Sequence, residues 1–121
     1  MVYSSYFGNV GKLFKMGFEK KDLVGISVYK CKWIDVDYCK ELFVKKSDLW
    51  SLKNGNMEWR EYCLKYYNHL YDLDVRFWMN FEENFKGKVL LCFEKDFRFC
   101  HRNLVRKFLK FWNGGEIQEI I

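Results

Sequence analysis

Apolar positions along this chain switch between two periods, and the switches mark out its elements. Val2 to Tyr6 has the pattern of a short strand, running no further than Ser4 or Ser5 in its narrowest reading and broken by Gly8-Asn9. Val10, Leu13 and Phe14 then fall at helical spacing, with Gly17 as a stop. Leu23-Val24-Gly25-Ile26-Ser27-Val28 is β-branched and largely apolar, as a buried parallel strand should be. Strand, helix and strand within about thirty residues predict a right-handed βαβ unit.

From Tyr29 to Gly55 the periodicity lapses. Lys30, Lys32, Trp33, Asp35 and Asp37 alternate with a few apolar residues, Tyr38 to Phe43 suggests one helical turn, and Asn54-Gly55 marks a turn. A segment this long without a period predicts a loop that covers a pocket. Beyond it, Trp59, Tyr62, Cys63, Tyr66, Tyr67 and Leu70 repeat at three and four, predicting a helix over Asn56 to Leu73 with Asn56 as N-cap. A second helix over Asp74 to Phe85 starts at an Asp74 cap and keeps Trp78, Phe81 and Phe85 on one side.

The strongest signal comes next. Val89-Leu90-Leu91-Cys92-Phe93 follows a glycine-bearing turn and predicts a buried strand. Leu104, Val105, Phe108, Leu109 and Trp112 then share one face of a long helix, closed by Gly114-Gly115. Glu116 to Ile121 alternates enough for a last strand at a sheet edge. The order predicts a single α/β domain over residues 1–121, a small three-layer sandwich with a short, mostly parallel, Rossmann-like sheet flanked by helices. The C-terminal ends of its first three main strands should converge on one crevice.

Composition narrows the class of partner. Half of the residues are hydrophobic and 21% aromatic, which argues against disorder. No apolar run nears the roughly 18 residues that cross a bilayer, and Val2-Tyr3-Ser4-Ser5 is not a secretory leader, so a cytoplasmic protein with no membrane partner is expected. Five cysteines at irregular spacing then read as free thiols. A net charge of +5 and a pI near 8.9 favour an anionic partner without the concentrated basic face of a dedicated DNA binder. Proline, alanine and threonine are absent, a bias that points to an AT-rich gene of bacterial or phage type.

Candidate chemistry gathers at the strand ends. Ser4, Ser5, Tyr6 and Asn9 follow the first strand; Ser27, Tyr29 and Lys30 the second; Cys92, Glu94, Cys100, His101 and Arg102 the third. Cys100-His101-Arg102 opens the last long helix, where unpaired N–H groups and a guanidinium fork suit a phosphate or carboxylate. Tyr6, Phe7, Tyr29, Trp33 and Phe93 lie close to those strand ends, where they could stack a planar base. Cys92, Cys100, His101 and Glu94 are the candidates if there is catalysis. His69 reads as a structural residue of the long helix. Cys92 and Arg98 match a C-x5-R spacing, but the intervening Phe-Glu-Lys-Asp-Phe lacks glycine and sets two carboxylates where a phosphate would sit. No paired C-x-x-C occurs and adjacent Cys and His rarely ligate one ion together, so neither metal nor cofactor is expected.

Leu90-Leu91-Cys92-Phe93-Glu94-Lys95, followed by Cys100-His101-Arg102 and a helix, resembles the LLC-x-E…CHR signature of the domain-of-unknown-function family numbered four-eight-eight. Val2 to Phe7 and Leu23 to Ser27 are similar to that family's first two strands, particularly in its short phage and bacterial members. The resemblance implies a compact α/β fold whose CHR segment lines a pocket at the strand ends; it delivers no activity, and proposals for the family lean towards nucleotide or nucleobase chemistry. In the family the second strand is usually followed by Arg and Pro. Here Val28-Tyr29-Lys30 stands instead, so Lys30 would act as a point charge without bidentate geometry. The expectation is a small phage or bacterial protein that binds a nucleotide-like anion and sequesters a host nucleotide signal, an anti-defence role. In it Arg102, the helix start and Lys30 take phosphate, Tyr6, Tyr29 or Trp33 stack the base, and Ser4, Ser5 and Glu94 bond its polar edge. An enzyme acting on a nucleotide or base, and a DNA-associated accessory protein, are the alternatives.

Overall fold

The computed structural model describes residues 1–121. In chain order its elements are β1 (Val2–Tyr6), α1 (Val10–Lys15), β2 (Leu23–Gly25), β3 (Asp37–Tyr38), α2 (Lys46–Lys53), α3 (Trp59–Asp72), α4 (Val75–Met79), α5 (Phe81–Asn84), β4 (Val89–Cys92), α6 (His101–Asn113) and β5 (Ile117–Glu119). The five strands form one sheet in the order β3-β2-β4-β1-β5, and every neighbouring pair is parallel. The expected α/β sandwich is therefore realised with a wholly parallel sheet. No helix is long and apolar enough to cross a membrane.

Strand parity assigns the core to two faces. Val2 of β1, Val24 of β2, and Leu90 and Cys92 of β4 pack with Tyr62, Tyr66 and Leu70 of α3, Trp78 and Phe81, and Leu104, Val105, Phe108 and Leu109 of α6. Alternate residues Leu23, Val89 and Leu91 turn the other way, onto Val10, Leu13 and Phe7. Leu90 and Leu91 are both fully buried because β4 lies at the centre of the sheet with helices or coil on both sides. At roughly 1.5–3 kcal/mol for each fully buried large apolar side chain, this strand anchors the fold.

Four local expectations change. β2 stops at Gly25 rather than Val28: Ile26 N–H still donates to Leu91 O, but the next residues leave the ladder to shape the site. Gly25 is required because Tyr38 lies against it; a Cβ there would come within 2.3 Å of the tyrosine ring. The Tyr29 to Gly55 stretch is not one loop, since it holds β3 at the sheet edge and the two-turn α2. Both are faint in sequence: β3 has two residues, and α2 carries no buried residue, so neither prints a full apolar period. α3 begins after Glu58, not Asn56, whose N–H instead closes α2 by donating to Ser51 O. The next predicted helix breaks at Asn80 into α4 and α5, although Asp74 does cap α4, accepting from Arg76 N–H at 2.9 Å.

Candidate functional site

At the C-terminal ends of β2 and β4 the sheet opens into a cavity of about 420 Å³, walled on its far side by α2 and Tyr62 of α3. Ten of its fourteen lining residues are hydrophobic, so the polar minority decides what it can hold. Those are Ser27, Lys53, Glu94 and His101, with the two thiols of Cys92 and Cys100. α2, hidden in the sequence, supplies Leu49, Leu52 and Lys53, while Val44 precedes it. The expected pocket cover thus exists, built from a helix.

Cys92, Cys100 and His101 form the floor. All three are buried, and their ligand atoms lie within 4.8 Å of one another. Cys92 is brought in by strand parity. Cys100 has extended backbone (φ −124°, ψ 144°) as the N-cap of α6, and His101 is the first helical residue. That change of backbone between neighbours turns both side chains toward the same space, so the spacing argument that separated them as ligands does not apply here. His101 Nε2 lies 2.7 Å from Ile26 O. A carbonyl only accepts, so Nε2 carries the proton and Nδ1 keeps a free lone pair, 4.0 Å from Cys100 Sγ, while Cys92 Sγ lies against the ring, 3.8 Å from Nδ1 and 3.6 Å from Nε2. Tyr66 packs edge-on against the imidazole at 5.4 Å and holds its plane.

Burial and their mutual contact drive the two thiols apart in ionisation. Burial pushes Cys92 well up, reinforced by its bond to Cys100. Burial also opposes ionisation of Cys100, but donation from Cys92, with the adjacent His101 and the nearby Arg102 charge, outweighs it and holds Cys100 well below the ordinary thiol range. The floor is therefore an electron-rich soft-donor cluster beside a fixed cation.

Arg102 itself does not reach the cavity. Its side chain has no exposure, and every guanidinium nitrogen is committed: Nε donates to both Glu119 carboxylate oxygens at 3.1 and 3.3 Å, and Nη2 to Glu119 Oε2 at 3.0 Å and Lys95 O at 3.2 Å. Nη1 donates to Glu94 O. Ser4 Oγ completes the carboxylate shell at 2.7 Å. The expected phosphate anchor is thus a clamp joining β1, the β4–α6 connection and β5. Its partner Glu119 escaped the sequence reading because it lies in a short terminal strand with no motif around it.

The serines and asparagine after β1 are withdrawn for the same reason. Ser5 Oγ donates to Ile120 O at 2.7 Å, and Asn9 Nδ2 to Ser5 Oγ at 3.1 Å, so Ser4, Ser5 and Asn9 bind the C-terminal strand and tail, not a ligand. No residue of β1 lines this cavity, so β1 does not join the expected three-strand crevice. Tyr6 is not among the lining residues. Lys30 leans over the Tyr38 ring at 5.8 Å, and exposed Trp33 stands edge-on to Phe7, so neither lines the cavity. Ser27, Tyr29, Glu94, Cys100 and His101, together with Cys92, are the expected residues that do meet there.

The aromatic lining is Tyr29, Phe93, Phe99 and Tyr62. Of these, Phe99 and Tyr62 were not foreseen: Phe99 sits in a 3-10 turn after Asp96 that gives no period to read, and Tyr62 read only as part of the apolar stripe of the long helix. At the rim, Lys53 Nζ binds Glu94 Oε1 at 2.9 Å with both side chains about half exposed, and Lys46 Nζ sits 5.4 Å over the Tyr29 ring. Arg98, the arginine of the C-x5-R spacing, points to solvent and pairs with Asp96 at 2.8 Å, so no cysteine-phosphatase loop forms. A second, more polar cavity of about 330 Å³ lies behind α3, where His69 Nε2 bonds Glu41 O at 2.7 Å. Comparison with protein-family models, curated proteins and solved structures finds no match.

Proposed function

We propose that this protein is a ligand-binding module that holds a small, planar, anionic molecule of nucleotide type in the cavity at the ends of β2 and β4. The observation that carries this reading is the cavity's make-up. At about 420 Å³ it falls in the range of small-molecule sites, and it combines an aromatic, apolar wall with a few convergent polar groups. A base fits between Tyr29, Phe93 and Phe99, where stacking is sequence-tolerant and worth roughly 1–3 kcal/mol per base. Ser27 and Glu94 bond its edge. Lys53 and Lys46 take the anionic group at the rim, in place of Arg102 and Lys30. The resemblance to the four-eight-eight family supports a ligand of the same kind. Retained in the cytoplasm without turnover, such a ligand is sequestered, and in a phage that would withdraw a host nucleotide signal.

The test is thermal unfolding against a panel of nucleotides and their nucleosides. A ligand at a hundredfold its Kd stabilises the fold by about 2.7 kcal/mol. Lys53→Ala should leave the free protein within about 1 kcal/mol of wild type, because the pair it breaks is half exposed, yet reduce the shift caused by nucleotides more than that caused by nucleosides. No shift with any nucleotide at millimolar concentration refutes the reading. The thiols and imidazole on the floor favour one second reading, an enzyme acting on the bound base. Chromatography of the ligand after long incubation separates the two: recovery intact supports holding, and a changed ligand supports turnover.

A further inference from the structure

We propose that Cys92, Cys100 and His101 are a metal site of the Cys2His type, which takes a divalent ion of the zinc class with its fourth coordination position open to the cavity. The geometry is close to that of a tetrahedral centre. Zinc bonds of about 2.3 Å to sulfur and about 2.0–2.1 Å to nitrogen require ligand edges of roughly 3.6 Å between nitrogen and sulfur and 3.8 Å between sulfurs. The imidazole Nδ1 stands 3.8 and 4.0 Å from the two sulfurs, and the whole set lies within 4.8 Å; a rotation of Cys92 that carries its sulfur from beside Nε2, now 3.6 Å away, to the Nδ1 side completes the edges.

Three independent features suit the site to an ion. First, the ligand set is soft and wholly buried, the combination that selects zinc-class ions over magnesium or calcium. Second, His101 donates its other ring nitrogen to Ile26 O, the outer hydrogen bond that fixes tautomer and ring plane in metal-ligating histidines. Third, all three residues line the same cavity, whose remaining polar groups include Glu94 but no fourth soft donor, so the open position faces the space a small molecule would occupy. Both sulfurs bind as thiolates, their protons passing to solvent, and the two negative charges balance the ion. Arg102 is already neutralised by Glu119 and adds no net repulsion beyond that pair. The site does not depend on the nucleotide reading. An ion there would give an incoming ligand a Lewis-acidic contact.

The test begins with protein purified under reducing conditions without chelator and analysed for bound metals. About one equivalent of zinc per chain is expected. After chelation, Co2+ should restore a thiolate-to-cobalt charge-transfer absorption. Cys92→Ser and Cys100→Ser should each lose it, whereas Cys63→Ser, on α3 and outside the cluster, should keep it. Should the cysteine variants fail to fold by circular dichroism, His101→Gln supplies the same loss of one ligand. The proposal is overturned if reduced wild-type protein retains no ion and gives no cobalt–thiolate absorption, if Cys63→Ser loses the signal as fully as Cys92→Ser, or if Cys92 and Cys100 emerge as a disulfide from the reducing preparation. None of these outcomes involves a nucleotide, so this result and the ligand-binding result stand apart.

Discussion

Arg102→Ala separates a structural clamp from a ligand anchor. In the folded chain the guanidinium is fully buried and spends all its nitrogens on Glu119, Glu94 O and Lys95 O. Removing it leaves the Glu119 carboxylate, 11% exposed, with only the Ser4 hydroxyl, and strips two loop carbonyls of their arginine donors. Breaking a buried ion pair by deleting one partner costs about 3–5 kcal/mol, because the surviving charge has lost water and found nothing in return. For a domain of this size, at roughly 4 °C per kcal/mol, the unfolding midpoint should fall by about 12–20 °C. Arg102→Lys should fall between, since an ammonium keeps the charge and loses the fork. Thermal and urea unfolding of Arg102→Ala, Glu119→Ala and the double variant measure this directly. The double variant should lose clearly less than the sum of the singles. A loss below about 1 kcal/mol for Arg102→Ala, the level of an exposed pair, together with abolished ligand binding, would refute the clamp and return Arg102 to the site.

Two further outcomes follow from local geometry. Gly25→Ala should destabilise by about 1–3 kcal/mol in urea unfolding, because the new methyl meets the Tyr38 ring at 2.3 Å and displaces the hydroxyl that accepts from Cys31 N–H at 2.7 Å; wild-type stability in this variant would show that β3 is not held by that contact. Burial raises the Cys39 thiol to about 11 from an ordinary 9.0. The folded state therefore keeps a proton that the unfolded chain gives up first, and this contribution, complete below pH 9, is lost as pH rises toward 11. Unfolding measured from pH 8 to 11 should show a steeper decline for wild type than for Cys39→Ala, and equal slopes would sink the argument.

Much of this protein was determined by the sequence alone, wherever an element prints its own period. β4 did so as an unbroken apolar run, α3 and α6 as stripes at three and four, and Gly114 as a stop, realised in the left-handed region at φ 74°. Those elements carry the α/β class, and with it the location of a site at strand ends. The sequence also nominated Cys92, Glu94, Cys100 and His101, because a strand running through a polar connection into a helix start gathers chemically capable groups at one strand end. Tertiary structure decided the rest. Whether Arg102 or Ser4 meets a ligand depends on Glu119, which arrives from the far end of the chain to pair with both. Whether neighbouring Cys100 and His101 face one point depends on the backbone turn between them. The cavity wall depends on α2, whose apolar residues are too few to register until α3 and the sheet stand opposite them. Periodicity reports the face an element buries; which charged group finds its partner is settled by contacts between distant segments, and no local pattern encodes them.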